Sequence, residues 1–177
     1  MRKNDTFAVL IDMQEKLVPR IEGIKEIVEN SKKLLKAFKI FKIPIIATEQ
    51  IKLGDTIPDL KNLIDGKVTK SSFSCMKEKS FVDTIKFLDR KRCVLLGIET
   101  HICVLQTAID MLKDYEVLVA VDCTGSRKRI DKEVALLRLH KQGVILTTAE
   151  TIIYEILESA ENENFKDILP IVKGNQQ

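Results

Sequence analysis

Phe7-Ala8-Val9-Leu10-Ile11 is a run of apolar side chains closed abruptly by Asp12. It is too short for a helix, and without polar alternation it suits a central strand of a parallel sheet, buried on both faces. Comparable runs recur at Ile43-Pro44-Ile45-Ile46-Ala47, Arg92 to Gly97, Tyr115 to Val121 and Gly143 to Leu146. Pro44 is tolerable near a strand start. Amphipathic segments separate them, over 19–41, 81–88, 102–113, 130–141 and 149–160, with charges filling the face opposite the apolar one. Strands alternating with helices predict an α/β fold: a doubly wound, Rossmann-like, mostly parallel sheet with helices on both faces.

Between 51 and 67 the periodicity fades around Gly54, Pro58 and Gly66. A loop-rich segment is expected there, with one helical turn from Pro58 to Leu63. Val68 to Ser74 reads as a small-residue turn. From Glu161 the tail is polar except for Phe165, Ile168 and Leu169, and it either caps the core or packs on a neighbouring subunit.

A chain of 177 residues is long enough for one compact domain over 1–177 without disulfide staples. Lys and Arg total 29 against 26 Asp and Glu, a net charge of +3, which gives no support for a nucleic-acid partner. The first apolar run is too short for a signal peptide or a membrane span. Cys75, Cys93, Cys103 and Cys123 form no C-x-x-C pair, so a reducing, cytoplasmic setting is expected. The only histidines, His101 and His140, have no partner at metal-ligand spacing, and no metal is expected. Neither G-x-G-x-x-G nor G-x-x-x-x-G-K-[ST] occurs, so no nucleotide cofactor is expected.

The carboxyl ends of the strands are where open α/β sheets place their ligands. Asp12 ends the first strand, and Thr48-Glu49-Gln50 ends the second on the same rim. Cys103 follows the strand from Arg92 across a Gly-containing elbow, at the start of a helix, where unpaired amides and dipole favour thiolate. Each residue also has a bland reading: Asp12 as a turn former, Glu49 as a solvated carboxylate, Lys70 as a surface charge, Cys103 as a packing group.

Three stretches bring these positions together: Val9-Leu10-Ile11-Asp12-Met13-Gln14, Thr69-Lys70-Ser71-Ser72-Phe73-Ser74, and Gly97-Ile98-Glu99-Thr100-His101-Ile102-Cys103-Val104. In this order and spacing the chain resembles the isochorismatase-like cysteine hydrolases over nearly its whole length. Thr48-Glu49-Gln50, Leu53-Gly54 and Thr56-Ile57-Pro58 are most similar to the small isochorismatase-domain proteins. The resemblance implies a catalytic triad of Asp12, Lys70 and Cys103. It also implies a non-proline cis peptide between Ile98 and Glu99, and an oxyanion hole from the backbone N–H groups of Glu99 and Cys103.

The implied activity is hydrolysis of a small amide, ureido or related carbonyl substrate through a thioester, with a homo-oligomer as the working form. Gln14, Glu49, Gln50 and Phe73 are the candidate substrate-binding residues. Nicotinamidases share the triad but add histidines that hold a metal, and no histidine lies between Asp12 and Lys70. Two other readings stay open: a binding or scaffold protein on the same fold, and a vinyl ether hydrolase of the isochorismate type, which does not need the cysteine.

Overall fold

The computed structural model describes residues 1–174. Six strands form one all-parallel sheet: β1 (Thr6–Ile11), β2 (Ile45–Gln50), β3 (Gly66–Lys70), β4 (Arg92–Ile98), β5 (Glu116–Gly125) and β6 (Ile145–Thr147). Their order is β3-β2-β1-β4-β5-β6. The chain therefore winds outward from β1 to β3, returns to the middle at β4, and winds out the other way. The crevice outside the carboxyl ends of β1 and β4 is the switch point, where such sheets bind ligands.

The helices are α1 (Ile24–Phe41), α2 (Pro58–Lys61), α3 (Lys79–Phe87), α4 (Leu105–Met111), α5 (Arg129–Lys141), α6 (Ala149–Leu157) and α7 (Phe165–Lys173). Alternation along β1 assigns them to the two faces of the sheet. Ala8 and Leu10 join a core with Leu34, Leu35 and Phe38 of α1, Ile152 and Ile153 of α6, and Ile168 of α7. Phe7, Val9 and Ile11 join the opposite core with Phe81 and Ile85 of α3, Ala108 and Met111 of α4, and Leu139 of α5. Period-2 strands with both faces covered are what the continuous apolar runs require.

Three expectations from the sequence are corrected. The stretch read as loop and turn contains β3, paired in register with β2 from Ile46↔Gly66 to Gln50↔Lys70. Only Val68 and Lys70 of this strand are buried, so it carries almost no apolar signal, and the exposed Lys67 suits its place at the edge of the sheet. The helix expected from 102 begins as a single π-type turn over Thr100–Val104, with regular α-helix only from Leu105. The strand expected over Tyr115 to Val121 runs on as β5 through Asp122 to Gly125, after a register shift opposite β4 between Leu95 and Gly97. The polar tail holds α7, whose buried Ile168 caps the core beside α1.

Gly97 lets β4 lie tight against the end of β1. Its φ is +120°, and a Cβ there would stand 2.1 Å from the Ile11 carbonyl oxygen. Both the left-handed backbone and the approach demand glycine. We expect Gly97→Ala to lower stability by about 3 kcal/mol, read as a fall in the urea midpoint with an unchanged slope.

Candidate active site

Asp12, Lys70 and Cys103 meet at the switch point, brought there from β1, β3 and the turn after β4. Lys70 Nζ donates to Asp12 Oδ2 at 2.7 Å and stands 3.5 Å from Cys103 Sγ. Asp12 is wholly buried and Lys70 is 1% exposed, whereas Cys103 keeps 6% of its surface. Of the three, the cysteine is the one that meets solvent.

Each group is held by the ends of neighbouring strands. Asp12 adopts a φ of +50°, a conformation Asp tolerates better than most residues. Its N–H donates to Thr48 O at 3.1 Å, and its Oδ1 accepts from Thr48 Oγ1 at 2.9 Å. Lys70 sits directly across from Gln50 in the β2–β3 register, so the two side chains share a face. Lys70 Nζ donates to Gln50 Oε1 at 2.6 Å and to Ser72 O at 3.2 Å. An ammonium has only three protons. Asp12, Gln50 and Ser72 take them at shorter distance, leaving Cys103 the charge of Lys70 more than a hydrogen bond.

The electrostatics follow. Burial raises the Asp12 carboxyl above its ordinary range, and Lys70 only partly offsets that. Burial also disfavours a charged Lys70, but the Asp12 charge and hydrogen bond, with the Cys103 sulfur beside it, outweigh it and hold the ammonium above its usual pKa. The Cys103 thiol is pushed strongly upward, first by burial and then by the Asp12 anion, against the pull of Lys70. This corrects the expectation that a helix start would favour thiolate. Burial and the Asp12 carboxyl together favour the thiol over the thiolate, beside a carboxyl group whose own proton affinity is raised.

The elbow has its own frame. The Ile98–Glu99 peptide bond is cis. Glu99 O accepts from the amides of Ile102 and Val104 at 3.1 and 3.2 Å. Among the described residues, neither the Glu99 N–H nor the Cys103 N–H donates to a carbonyl outside the regular elements. The buried Glu99 carboxylate reaches back to the loop after β5, where it accepts from Arg127 N and Arg127 Nε, each at 3.0 Å. His101 Nδ1 lies 2.9 Å from Ser126 Oγ in that loop, so His101 ties the elbow down as well.

The four residues named as substrate-binding have specific places. Gln14 is wholly buried; its amide accepts from Gln50 N at 2.8 Å and donates to Gln50 O and Gly54 O at 3.0 and 2.6 Å. Gln50 is engaged with Lys70 and, through Nε2, with Ser71 O at 2.8 Å. Glu49 points the other way from Thr48 and Gln50; its two oxygens accept from Thr56 N, Thr56 Oγ1 and Lys67 Nζ, all at 2.9 Å. Burial opposes its charge, but those donors prevail and hold its pKa below the usual value. Phe73 is 54% exposed, one residue beyond the carbonyl that holds Lys70. Three of the four thus spend their polar atoms on the frame of the site. Among the described residues, no group of three His, Cys, Asp or Glu side chains is placed to hold a metal.

The sequence reading missed Thr48, Ser72 and Cys75. Thr48 was visible as the residue two before Gln50, hence on the same strand face. Cys75 is wholly buried, with its sulfur 3.8 Å from Thr48 Oγ1, and only the fold brings it there.

The family model for the isochorismatase domain matches residues 6–151, an interval that holds the whole cluster. The chain belongs to the isochorismatase family. Isochorismatase domain-containing protein 2 of Xenopus laevis is 37% identical over 166 residues, covering 92% of this chain and 81% of that one. The Danio rerio protein of the same description is 39% identical, covering 90% and 83%. Among solved structures, a Caenorhabditis elegans protein described as MAR1 ribonuclease superposes with a TM-score of 0.92 at 32% identity, covering 100% of this chain and 94% of that one. YcaC from Pseudomonas aeruginosa, solved with hexane-2,5-diol and covalent acrylamide, gives 0.90 at 22% identity over 97% and 90%, a likeness of fold alone. The chain thus carries the isochorismatase-family hydrolase fold, and among its described residues no helix is long and apolar enough to cross a membrane.

Burial raises all four cysteines of this isochorismatase-family chain above the ordinary value of 9.0, Cys75 to about 11. The folded chain therefore keeps thiol protons that the unfolded chain releases, and stability falls as pH rises above 9.0. The slope approaches about 1.4 kcal/mol per pH unit for each cysteine so protected. Urea midpoints measured from pH 8 to 10.5 should drop steeply, and Cys93→Ala should flatten the decline.

Proposed function

We propose that this protein is a cysteine hydrolase of small amide, ureido or related carbonyl compounds, with Asp12, Lys70 and Cys103 as its catalytic residues. The observation that carries this reading is the burial of an Asp–Lys ion pair against a thiol that, alone of the three, reaches solvent. A buried ion pair is seldom a gain in stability, which makes a chemical role the better account of its cost.

In the first half-reaction the Sγ–H proton passes to Asp12 as sulfur bonds to the substrate carbonyl carbon. The Glu99 and Cys103 amides donate to the oxyanion, a contribution of roughly 3 kcal/mol per donor in a protease precedent. Collapse of the tetrahedral species breaks the C–N bond, and Asp12 returns its proton to the departing amine. In the second half, Asp12 takes a proton from water, hydroxide adds to the thioester, and the thiol leaves with that proton. Lys70 keeps its charge throughout and balances whichever anion is present. Gln14, Glu49 and Gln50 act in this scheme through the hydrogen bonds that hold the strand ends, and the exposed Phe73, next to the Ser72 carbonyl, is the apolar contact offered to substrate.

Two further parts of the proposal concern setting and assembly. The four free cysteines fit a reducing, cytoplasmic location. The YcaC gene product of Escherichia coli is described as an octameric hydrolase of unknown specificity, and it shares this fold at 22% identity. On α5, which packs against the elbow, Ile130, Val134 and Leu137 are 60, 48 and 64% exposed at helical spacing. Such a stripe supports a homo-oligomer built through α5. Leu137→Glu should then move the protein to a smaller species in light scattering, and an unchanged mass would remove α5 from the interface.

The deciding experiment is a screen of small amides, ureides and esters, with isochorismate and single-stranded RNA included because of the family and of the worm protein's description. Cys103→Ala should lower turnover by roughly three orders of magnitude or more, and intact mass should show an acyl adduct on the native chain. Isochorismate turnover that survives Cys103→Ala and is lost in Asp12→Ala would establish the vinyl ether reaction instead. RNA cleavage indifferent to all three residues would overturn the proposal. No turnover and no adduct across the screen would leave a binding protein on this fold.

A further inference from the structure

The carboxyl end of β2 brackets the ion pair. Thr48 and Gln50 lie two residues apart and face the same side, while Glu49 between them faces away toward Thr56 and Lys67. Thr48 Oγ1 donates to Asp12 Oδ1 at 2.9 Å, and Gln50 Oε1 accepts from Lys70 Nζ at 2.6 Å. One side chain supplies a donor to the anion, the other an acceptor to the cation. Thr48 is 1% exposed, so its hydroxyl has no bulk water to turn to. Gln50 is held by its own backbone, since the Gln14 amide grips both its N–H and its C=O.

We infer that Thr48 and Gln50 are positioning residues that together set how readily Cys103 gives up its proton, pulling in opposite directions. The inference rests on the triad proposed above. The Thr48 hydroxyl stabilises Asp12 as the anion. Without it the carboxylate holds a proton up to higher pH, and the cluster reaches its reactive protonation state later in a titration. Gln50 does the reverse. Its carbonyl occupies one of the three protons of Lys70; Asp12 Oδ2 and Ser72 O hold the other two, at 2.7 and 3.2 Å, so without it the freed proton is left to Asp12 and to Cys103 Sγ, 3.5 Å away. A Lys70 proton redirected to them favours both anions. The groups that face the cluster are few: Asp12 from β1, Lys70 from β3, Cys103 from the elbow, and the Cys75 thiol from the turn before α3, which lies within electrostatic range of Lys70 and Cys103. Glu49 and Lys67 pair with each other on the other side of β2.

The test needs no substrate. Iodoacetamide alkylates Cys103 as the S–C bond forms and iodide leaves, and peptide mass spectrometry separates this site from the three wholly buried cysteines. The rate is followed from pH 5 to 10 in wild type, Thr48→Val, Thr48→Ser, Gln50→Leu and Asp12→Asn. A hydrogen bond to a charged group corresponds to about one pH unit. The midpoint should rise by about that much in Thr48→Val, return toward wild type in Thr48→Ser, and fall in Gln50→Leu. Loss of structure alone would expose the thiol and move both variants the same way. Equal or same-direction shifts, or no rescue by serine, overturn the inference; should Thr48→Val not fold, Thr48→Ala carries the same arm. If Asp12→Asn leaves the profile of the native chain intact, the triad itself is wrong, a result distinct from a failure of Thr48 or Gln50 alone.

Discussion

A lysine and an aspartate buried together at the head of the sheet are the constraint around which the rest is arranged. Neither could be charged there alone, because an isolated ion in such surroundings costs several kcal/mol or more. Every nearby choice serves the pair. The last residue of an edge strand turns its long side chain inward, the neighbouring strand offers a carbonyl and a hydroxyl, and the loop beyond β3 lends the Ser72 carbonyl. The thiol then finds a charged environment already built, in which it is the one uncommitted partner.

The loop segments take part in the same arrangement. Glu49, looking away from the cluster, ties down Thr56, and Gln14 holds Gly54. The stretch from 51 to 57 is thereby fastened to the sheet from both sides, and β2 and β3 keep the register that sets Gln50 opposite Lys70. Beyond β3, the Glu78 carboxylate accepts from the amides of Ser71 and Ser72 at 2.8 and 2.9 Å, which lowers its pKa to about 2 and fixes the turn that contains the Lys70-binding carbonyl.

Much of this was legible in the sequence, for identifiable reasons. β1 and β4 announce themselves because both of their faces are covered, so no polar residue interrupts them. Asp12 and Cys103 follow from where those strands stop. β3 hides because it is an edge strand, with Lys67 and Thr69 facing outward and only Val68 to mark its inward face. The thiolate expectation failed for a different reason. Position at a helix start is a local property, whereas the proton affinity of Cys103 is set by burial and by a carboxylate that is 91 residues away in the chain. Thr48 reads from sequence as an ordinary polar position, and the framing roles of the Gln14 amide and the Glu99 carboxylate are equally hidden, since what distinguishes these side chains is the partner each one finds.

The upward pull of burial and Asp12 on the Cys103 thiol has a meaning outside the proposed catalysis. Peroxides and disulfides attack thiolates, and a thiol whose proton is held by burial and by a neighbouring anion reacts with them slowly. In the hydrolase proposed above, the nucleophile would thus be kept chemically quiet until a carbonyl carbon arrives and the proton can move to Asp12 in step with attack. In that scheme, durability toward oxidants, to which burial contributes first, and readiness toward substrate both draw on the same carboxylate.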